Sequence, residues 1–273
     1  MKRTLAIFLC AACMLSCTAP RTQEGPKLAV QSYTFHHFSL MEAFDKCASL
    51  GVKYVEVFPG HKLGEDFGEA QFGIGMDEGT IRAVLDSAQA KGVKIVASGV
   101  FTSPDAAQWE AFFQLASRMG MEYVTCEPPK DMWDYIESLS VQYGIKVAVH
   151  NHPRPSDYWH PDSLLACIGG RGLQIGSCAD VGHWRREGLD QLECLKKLDG
   201  RVISCHFKDI VAPSEEGTWQ HDTIWGEGIL DVQKMLSILN EQHFDGYLAI
   251  EYEYNWDNSV PDIQKCLEAY GSF

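Results

Sequence analysis

The chain has 273 residues, a formal net charge of −14, and apolar and charged fractions of 45% and 22%. Those proportions exclude a disordered or collagenous chain and suit one large globular domain or two smaller ones. So acidic a surface repels phosphate backbones, so nucleic acid is not an expected partner.

In chain order, Lys2 and Arg3 precede an apolar run from Leu5 to Leu15 that is too short to settle across a bilayer. Residues 1–16 therefore read as a targeting segment. The run ends in Met14-Leu15-Ser16-Cys17, which resembles the lipobox of bacterial lipoproteins. That resemblance implies lipidation of Cys17 as the mature N-terminus, export, and contact with a membrane only through the lipid; a plain secretory signal is the alternative. Residues 17–26 are polar, with Pro and Gly, and suit a short tether. Loss of residues 1–16 removes Lys2 and Arg3 and no acid, so the charge moves from −14 to −16. Of the ten cysteines, Cys10 and Cys13 lie in the leader and Cys17 is the lipid candidate. Seven remain, an odd number with no C-x-x-C pair, mostly inside expected strands and helices. A core that does not depend on disulfides is expected.

From Lys27 onward strands and helices alternate, the pattern of a parallel sheet. Strands are expected over Lys27–Phe35, Tyr54–Phe58, Val93–Val100, Tyr123–Cys126, Lys146–Val149, Leu173–Ala179, Arg201–Cys205 and Tyr247–Ile250. Helices are expected near Ser39–Leu50, Asp77–Lys91, Asp105–Met119, Asp131–Tyr143, Pro161–Ile168, Gly188–Leu198, Ile229–Gln242 and Val260–Tyr270. Several open on a capping residue, such as Ser39, Asp77 or Asp105, and close on a glycine, such as Gly51, Gly92 or Gly144. Eight such units over residues 27–273 point to a closed α/β (β/α)8 TIM barrel. A doubly wound sheet is the alternative, but no G-x-G-x-x-G follows the first strand. The longest insertions, Pro59–Met76, His150–His160 and Ile210–Gly228, all follow C-terminal strand ends, the face where barrels bind substrates.

The strand ends carry ligand-type side chains: Glu56, Glu127, His150 and His152, Asp180 and His183, His206 and Lys208, then Glu251 and Glu253. Taken singly, a carboxylate there can merely cap the next helix and a histidine can be structural. Their joint placement points to a site. A right-handed β-α-β unit over Leu173–Asp209 puts Asp180 and His206 on one side of the sheet, where they can share a metal ion.

Asp180-x-x-His183, His206-Phe207-Lys208-Asp209, Gly226-Glu227-Gly228 and Asp245-Gly246-Tyr247 running to Ile250-Glu251-Tyr252 resemble the xylose isomerase-like TIM-barrel superfamily, often labelled sugar phosphate isomerase/epimerase. The resemblance covers nearly all of residues 27–273 in strand order. It implies one divalent ion held by Glu, Asp, His and Glu after strands five to eight. Asp180, His206 and Glu251 carry over, whereas His150 stands where the first Glu would be. The expected metal set is thus His150, Asp180, His206 and Glu251, for Mn, Co, Zn or Fe, with Mg suited less well to an imidazole. The exchange also removes one of the two opposed carboxylate bases of related epimerases; Glu127 could replace it as ligand or as base. A three-zinc nuclease of the same superfamily needs histidines after strands two and three, yet strand three ends in Ser98-Gly99.

Enzymes of this kind remove a proton next to a carbonyl, after which isomerisation, epimerisation or β-elimination follows. Glu127, His152, Lys208 and Glu251 are the expected acids and bases, and Glu56, His183, Trp184, Arg185 and Trp225 the expected substrate contacts. Export favours a non-phosphorylated sugar. The resemblance places a metal-dependent isomerase or epimerase first; export and the acidity of a proton beside a ketone place a 3-keto-glycoside 1,2-lyase second, and a non-catalytic sugar-binding lipoprotein is the reading of another class. The oligomeric state stays open.

Overall fold

The computed structural model describes residues 25–215 and 218–273; the expected targeting segment, Cys17 and the expected tether up to residue 24 lie outside the described residues. Short apolar stretches without helical period become eight parallel strands: β1 (Lys27–Gln31), β2 (Tyr54–Val57), β3 (Lys94–Phe101), β4 (Tyr123–Cys126), β5 (Lys146–His150), β6 (Ile175–Asp180), β7 (Val202–Phe207) and β8 (Tyr247–Ile250). Each pairs with its neighbours in sequence, and β8 returns to β1, so the sheet closes into the expected barrel with no free edge.

The helices on the outside follow the amphipathic segments: α1 (Leu40–Ser49), α2 (Glu78–Ala90), α3 (Ala106–Arg118), α4 (Trp133–Tyr143), α5 (Pro161–Ile168), α6 (Val181–Arg186), α7 (Gln191–Lys197), α8 (Val232–Glu241) and α9 (Val260–Tyr270). Their starts are set by side chains that satisfy free backbone N–H groups. Ser39 and Glu42 form a capping box, Asp77 accepts from the Thr80 N–H, and Asp105 from that of Ala107. None of the helices among the described residues is long and apolar enough to cross a membrane.

Two cores result from the two faces of the strands. Large residues such as Phe35, Phe44, Trp109, Phe112 and Leu195 fill the layer between strands and helices. The lumen holds small residues, Ala29, Ala97, Ala148, Cys178 and Ala249, with Tyr123 and Tyr247. The seven cysteines from Cys47 to Cys266 are free thiols, six of them buried.

Three local differences from the sequence expectation bear on the site. The first strand stops at Gln31, because its side-chain oxygen accepts the Tyr33 N–H and turns Ser32–Phe35 into a 3-10 helix. The sixth strand begins at Ile175, leaving Leu173 73% exposed, and it ends at Asp180. An additional helix, α6, starts there with Asp180 as its cap: Oδ1 accepts the His183 N–H at 2.7 Å.

Candidate metal centre

Side chains alternate along a strand, so residues two apart share a face. Above the lumen layer of Ala148, Cys178 and Ala249, the next inward positions are His150, Asp180 and Glu251. The register places Asp180 directly opposite His206. His150 lies opposite Cys178, and His206 opposite Ala249, each two residues short of the neighbouring ligand. One ligand atom from each of His150, Asp180, His206 and Glu251 lies within 4.8 Å of the others, and all four side chains are buried.

Two observations test whether this set fits a divalent ion. His150 Nε2, Asp180 Oδ2 and His206 Nδ1 are buried without a well-formed hydrogen bond, although Lys208 Nζ stands 2.9 Å from Asp180 Oδ2 and Glu251 Oε2 3.1 Å from His206 Nδ1. Buried polar atoms are normally satisfied, and here three of them converge. Charge gives the second observation. The carboxylates of Asp180, Glu251, Glu253 and Asp222 gather around two permanent cations, Lys208 and Arg186, and their remaining charged-type neighbours are imidazoles whose ring nitrogens can ligate a metal. A set of two imidazoles and two carboxylates fits Zn, Mn, Fe or Co.

The surroundings orient each ligand. Asp180 divides its oxygens, Oδ1 capping α6 and Oδ2 pointing into the set, and Asn151 pairs with its backbone in both directions at 2.8 and 3.0 Å. His206 meets the Glu56 carboxylate through Nε2 at 3.0 Å, and Glu56 also accepts from Gln31 at 3.0 Å and Tyr123 at 2.9 Å. A carboxylate behind a ligating histidine sets its tautomer and raises its basicity. Lys208 is fully buried, 2.7 Å from Glu251, 2.9 Å from Asp180 and 3.3 Å from Glu253. Burial opposes its charge, but the three carboxylates hold its pKa well above the usual lysine value. Burial likewise works against ionisation of Asp180 and Glu251. Neighbouring Lys208 and His150 for the first, and His206 and Lys208 for the second, hold both well below the carboxylate range. Gly182 leaves the path for Lys208, since a Cβ there would meet Lys208 Cδ at 2.6 Å.

At the mouth, Glu127 Oε1 accepts from His152 Nδ1 at 2.6 Å and from the His152 N–H at 3.1 Å, while Ser156 donates to Oε2 at 2.9 Å. The His152 side chain is 49% exposed, so this pair faces the opening. Glu127 also lies 3.4 Å from His150 Nδ1. His183 Nε2 is 3.6 Å from Asp180 Oδ2, and burial keeps the ring well below its usual pKa, hence neutral.

The structure places four of the expected substrate contacts as follows. Trp184 and Trp225 are 1% and 2% exposed and pack into the outer core, Trp225 edge-on to Phe207. Glu56 is fully buried beneath His206. Arg185 points to solvent. The adjacent Arg186 is the one in the site, 2.6 Å from Asp222 and 3.5 Å from Glu253, and it donates to the Gln220 carbonyl. Sequence reasoning missed Asp222, Gln31 and Tyr123. It did not separate Arg186 from Arg185, and the available signal was the i+3 spacing of Arg186 from His183, had α6 been expected. Asp209, part of a quoted motif, is a clamp: it accepts the N–H groups of Gly226, Gly228 and Leu230 at 2.9–3.0 Å.

A crystal structure of an uncharacterized protein from Parabacteroides distasonis ATCC 8503 is 34% identical with a TM-score of 0.74, over 90% of this chain and 98% of that one. A structure of the protein IOLI with a bound zinc atom is 18% identical with a TM-score of 0.74, over 90% of this chain and 97% of that one, a likeness of fold. Among curated proteins, an inosose dehydratase of Lactiplantibacillus plantarum is 24% identical over 135 residues, 45% of each chain. The chain spans less than half the length of the curated relatives it matches. A model of the xylose isomerase-like TIM barrel matches residues 44–270, and the chain belongs to that family.

Proposed function

We propose that the chain is a divalent-metal-dependent carbohydrate enzyme that removes a proton next to the carbonyl of a non-phosphorylated keto-sugar and then expels the β-substituent. The observation that carries this reading is the asymmetry of the site among the described residues: on the β4/β5 side Glu127 holds His152, whose side chain is 49% exposed, whereas the carboxylates that follow β8, Glu251 and Glu253, are tied up by Lys208 and Arg186. Epimerisation through two opposed carboxylates needs a glutamate where His150 stands. Elimination needs one base on one face, and the matched curated relatives named as dehydratases point the same way.

A divalent ion held by His150, Asp180, His206 and Glu251 would supply Lewis acidity to the carbonyl or its neighbouring hydroxyl. Among the chain's own groups, Glu127 holds the His152 ring by Nδ1, which leaves Nε2 to take the proton from the α-carbon. The C–H electron pair becomes the C=C bond, the β C–O bond breaks, and the leaving oxygen takes up a proton. Neutral His183 offers a hydrogen bond to a substrate hydroxyl. Lys208 keeps Asp180 and Glu251 ionised and in place. Lys208 and Arg186 are both engaged by carboxylates, which favours a neutral sugar over a phosphate ester. Export and a lipid anchor at Cys17 belong to the same proposal.

The test is incubation of metal-loaded protein with a 3-keto-glycoside in deuterated water. Expected are release of the aglycone, an unsaturated keto-sugar, and deuterium at the α-carbon of recovered substrate. Turnover with the α C–H retained and no primary isotope effect would refute proton abstraction. An intact glycosidic bond with inverted configuration would replace elimination by epimerisation.

A further inference from the structure

The exposed aromatic side chains are unevenly placed. Among the described residues Tyr33, Trp219 and Tyr254 follow β1, β7 and β8 on the face that carries the metal centre; the remaining exposed aromatic is Phe273 at the far end of the chain. A protein surface seldom collects aromatic faces in one place without something to cover them. Trp219 is 57% exposed, its ring lies 4.1 Å from the Arg186 guanidinium, and its centroid is 6.2 Å from that of His183. Arg186 is in turn fixed by Asp222 and Glu253. One indole face is thus pinned by a buried cation while the other is open.

Tyr33 is held comparably from the opposite side. Its ring stacks on His36 at 4.5 Å and 11°, and Trp256 meets it edge-on at 5.9 Å. Thr34 Oγ1 accepts the Tyr252 N–H at 2.9 Å, tying this turn to the end of β8. Tyr33 consequently lies within the field of Glu253 and Glu251, which together with the larger effect of burial raise its pKa. Glu253 follows β8, the strand that lies between β1 and β7 in the barrel, and is 3.3 Å from Lys208 and 3.5 Å from Arg186. The arrangement is a polar floor with an aromatic wall on either side. A pyranose matches it, since the C–H faces of the ring cover aromatic surface while its rim hydroxyls reach charged groups.

We propose that Trp219 and Tyr33 form a second carbohydrate subsite beside the metal centre, which takes the leaving-group ring of a glycoside. The preferred substrate then carries at least two rings and is not a free keto-monosaccharide. The term leaving group rests on the elimination reading above; the two-ring preference does not, and it is measurable without turnover.

Calorimetric titration of metal-loaded protein with cellobiose and with D-glucose, neither of which carries the reactive ketone, separates the two. Wild type is expected to bind the disaccharide about tenfold more tightly than the monosaccharide, a difference of about 1.4 kcal/mol. Trp219→Ala should bring that ratio below about threefold with metal content unchanged, Tyr33→Ala should lower it as well, and Trp219→Phe should keep most of it. A wild-type ratio near one, or the same ratio in Trp219→Ala as in wild type, overturns the subsite. If the ratio falls as expected while no keto-glycoside is cleaved, the subsite stands and the elimination reading is the one that fails.

Discussion

Glu56→Gln separates a group that orients the metal centre from one that binds sugar. Glu56 is fully buried and accepts three hydrogen bonds, from His206 Nε2 at 3.0 Å, Gln31 at 3.0 Å and Tyr123 at 2.9 Å. A carboxylate only accepts, so it fixes the His206 proton on Nε2 and frees the Nδ1 lone pair for the ligand set. Glutamine has the same shape, but its amide turns an NH2 toward at least one of the three donors. Removing such a partner from a ligating histidine weakens metal affinity about 10- to 100-fold, equivalent to about 1.4–2.7 kcal/mol. The metal-free fold should lose about 1–3 kcal/mol as well, because a buried donor is left without an acceptor. Competition with a chromophoric chelator measures the first effect, and urea denaturation of chelated protein the second. KM for the sugar at saturating metal should be unchanged. Metal affinity within about twofold of wild type together with a raised KM would refute the argument and return Glu56 to the substrate contacts.

His150→Glu should still bind one metal ion per chain but shift preference toward harder ions such as Mg and Mn, whereas His206→Ala should lose stoichiometric metal while remaining folded; elemental analysis after dialysis against mixed metals checks both. In the metal-stripped protein burial opposes protonation of His150, yet the neighbouring carboxylates of Asp180 and Glu127 outweigh it and raise its pKa from 6.5 to about 9. A raised folded pKa stabilises fully below the unfolded value and is lost as pH climbs through the folded one. The Tm of chelated protein should therefore fall between about pH 6.5 and 9 while metal affinity rises over the same interval, since the ion and the proton compete for the same ring. A flat Tm profile would contradict this. Labelled fatty acid should enter the wild type and not Cys17→Ser in the native host, and label in both would remove the lipid anchor from the proposal.

Alternation along strands and capped amphipathic helices are local properties, which is why the eightfold barrel and the strand-end positions of His150, Asp180, His206 and Glu251 were legible from the sequence alone. Asp180 illustrates how two local readings coexist: it caps α6 with one oxygen and offers the other to the ligand set. What surrounds those residues depended on closure of the barrel. Glu56 meets His206 across 150 positions of sequence, a contact that no spacing rule reports. Arg185 and Arg186 are indistinguishable until α6 exists, because a helix turns adjacent residues about 100° apart and only one of them reaches Asp222. The tryptophans divide for the same reason: packing of the helices onto the barrel buries Trp184 and Trp225 and leaves Trp219 at the mouth. Residue type and position in the chain determined which chemistry was available; the direction of each loop side chain was decided by contacts between segments far apart in sequence.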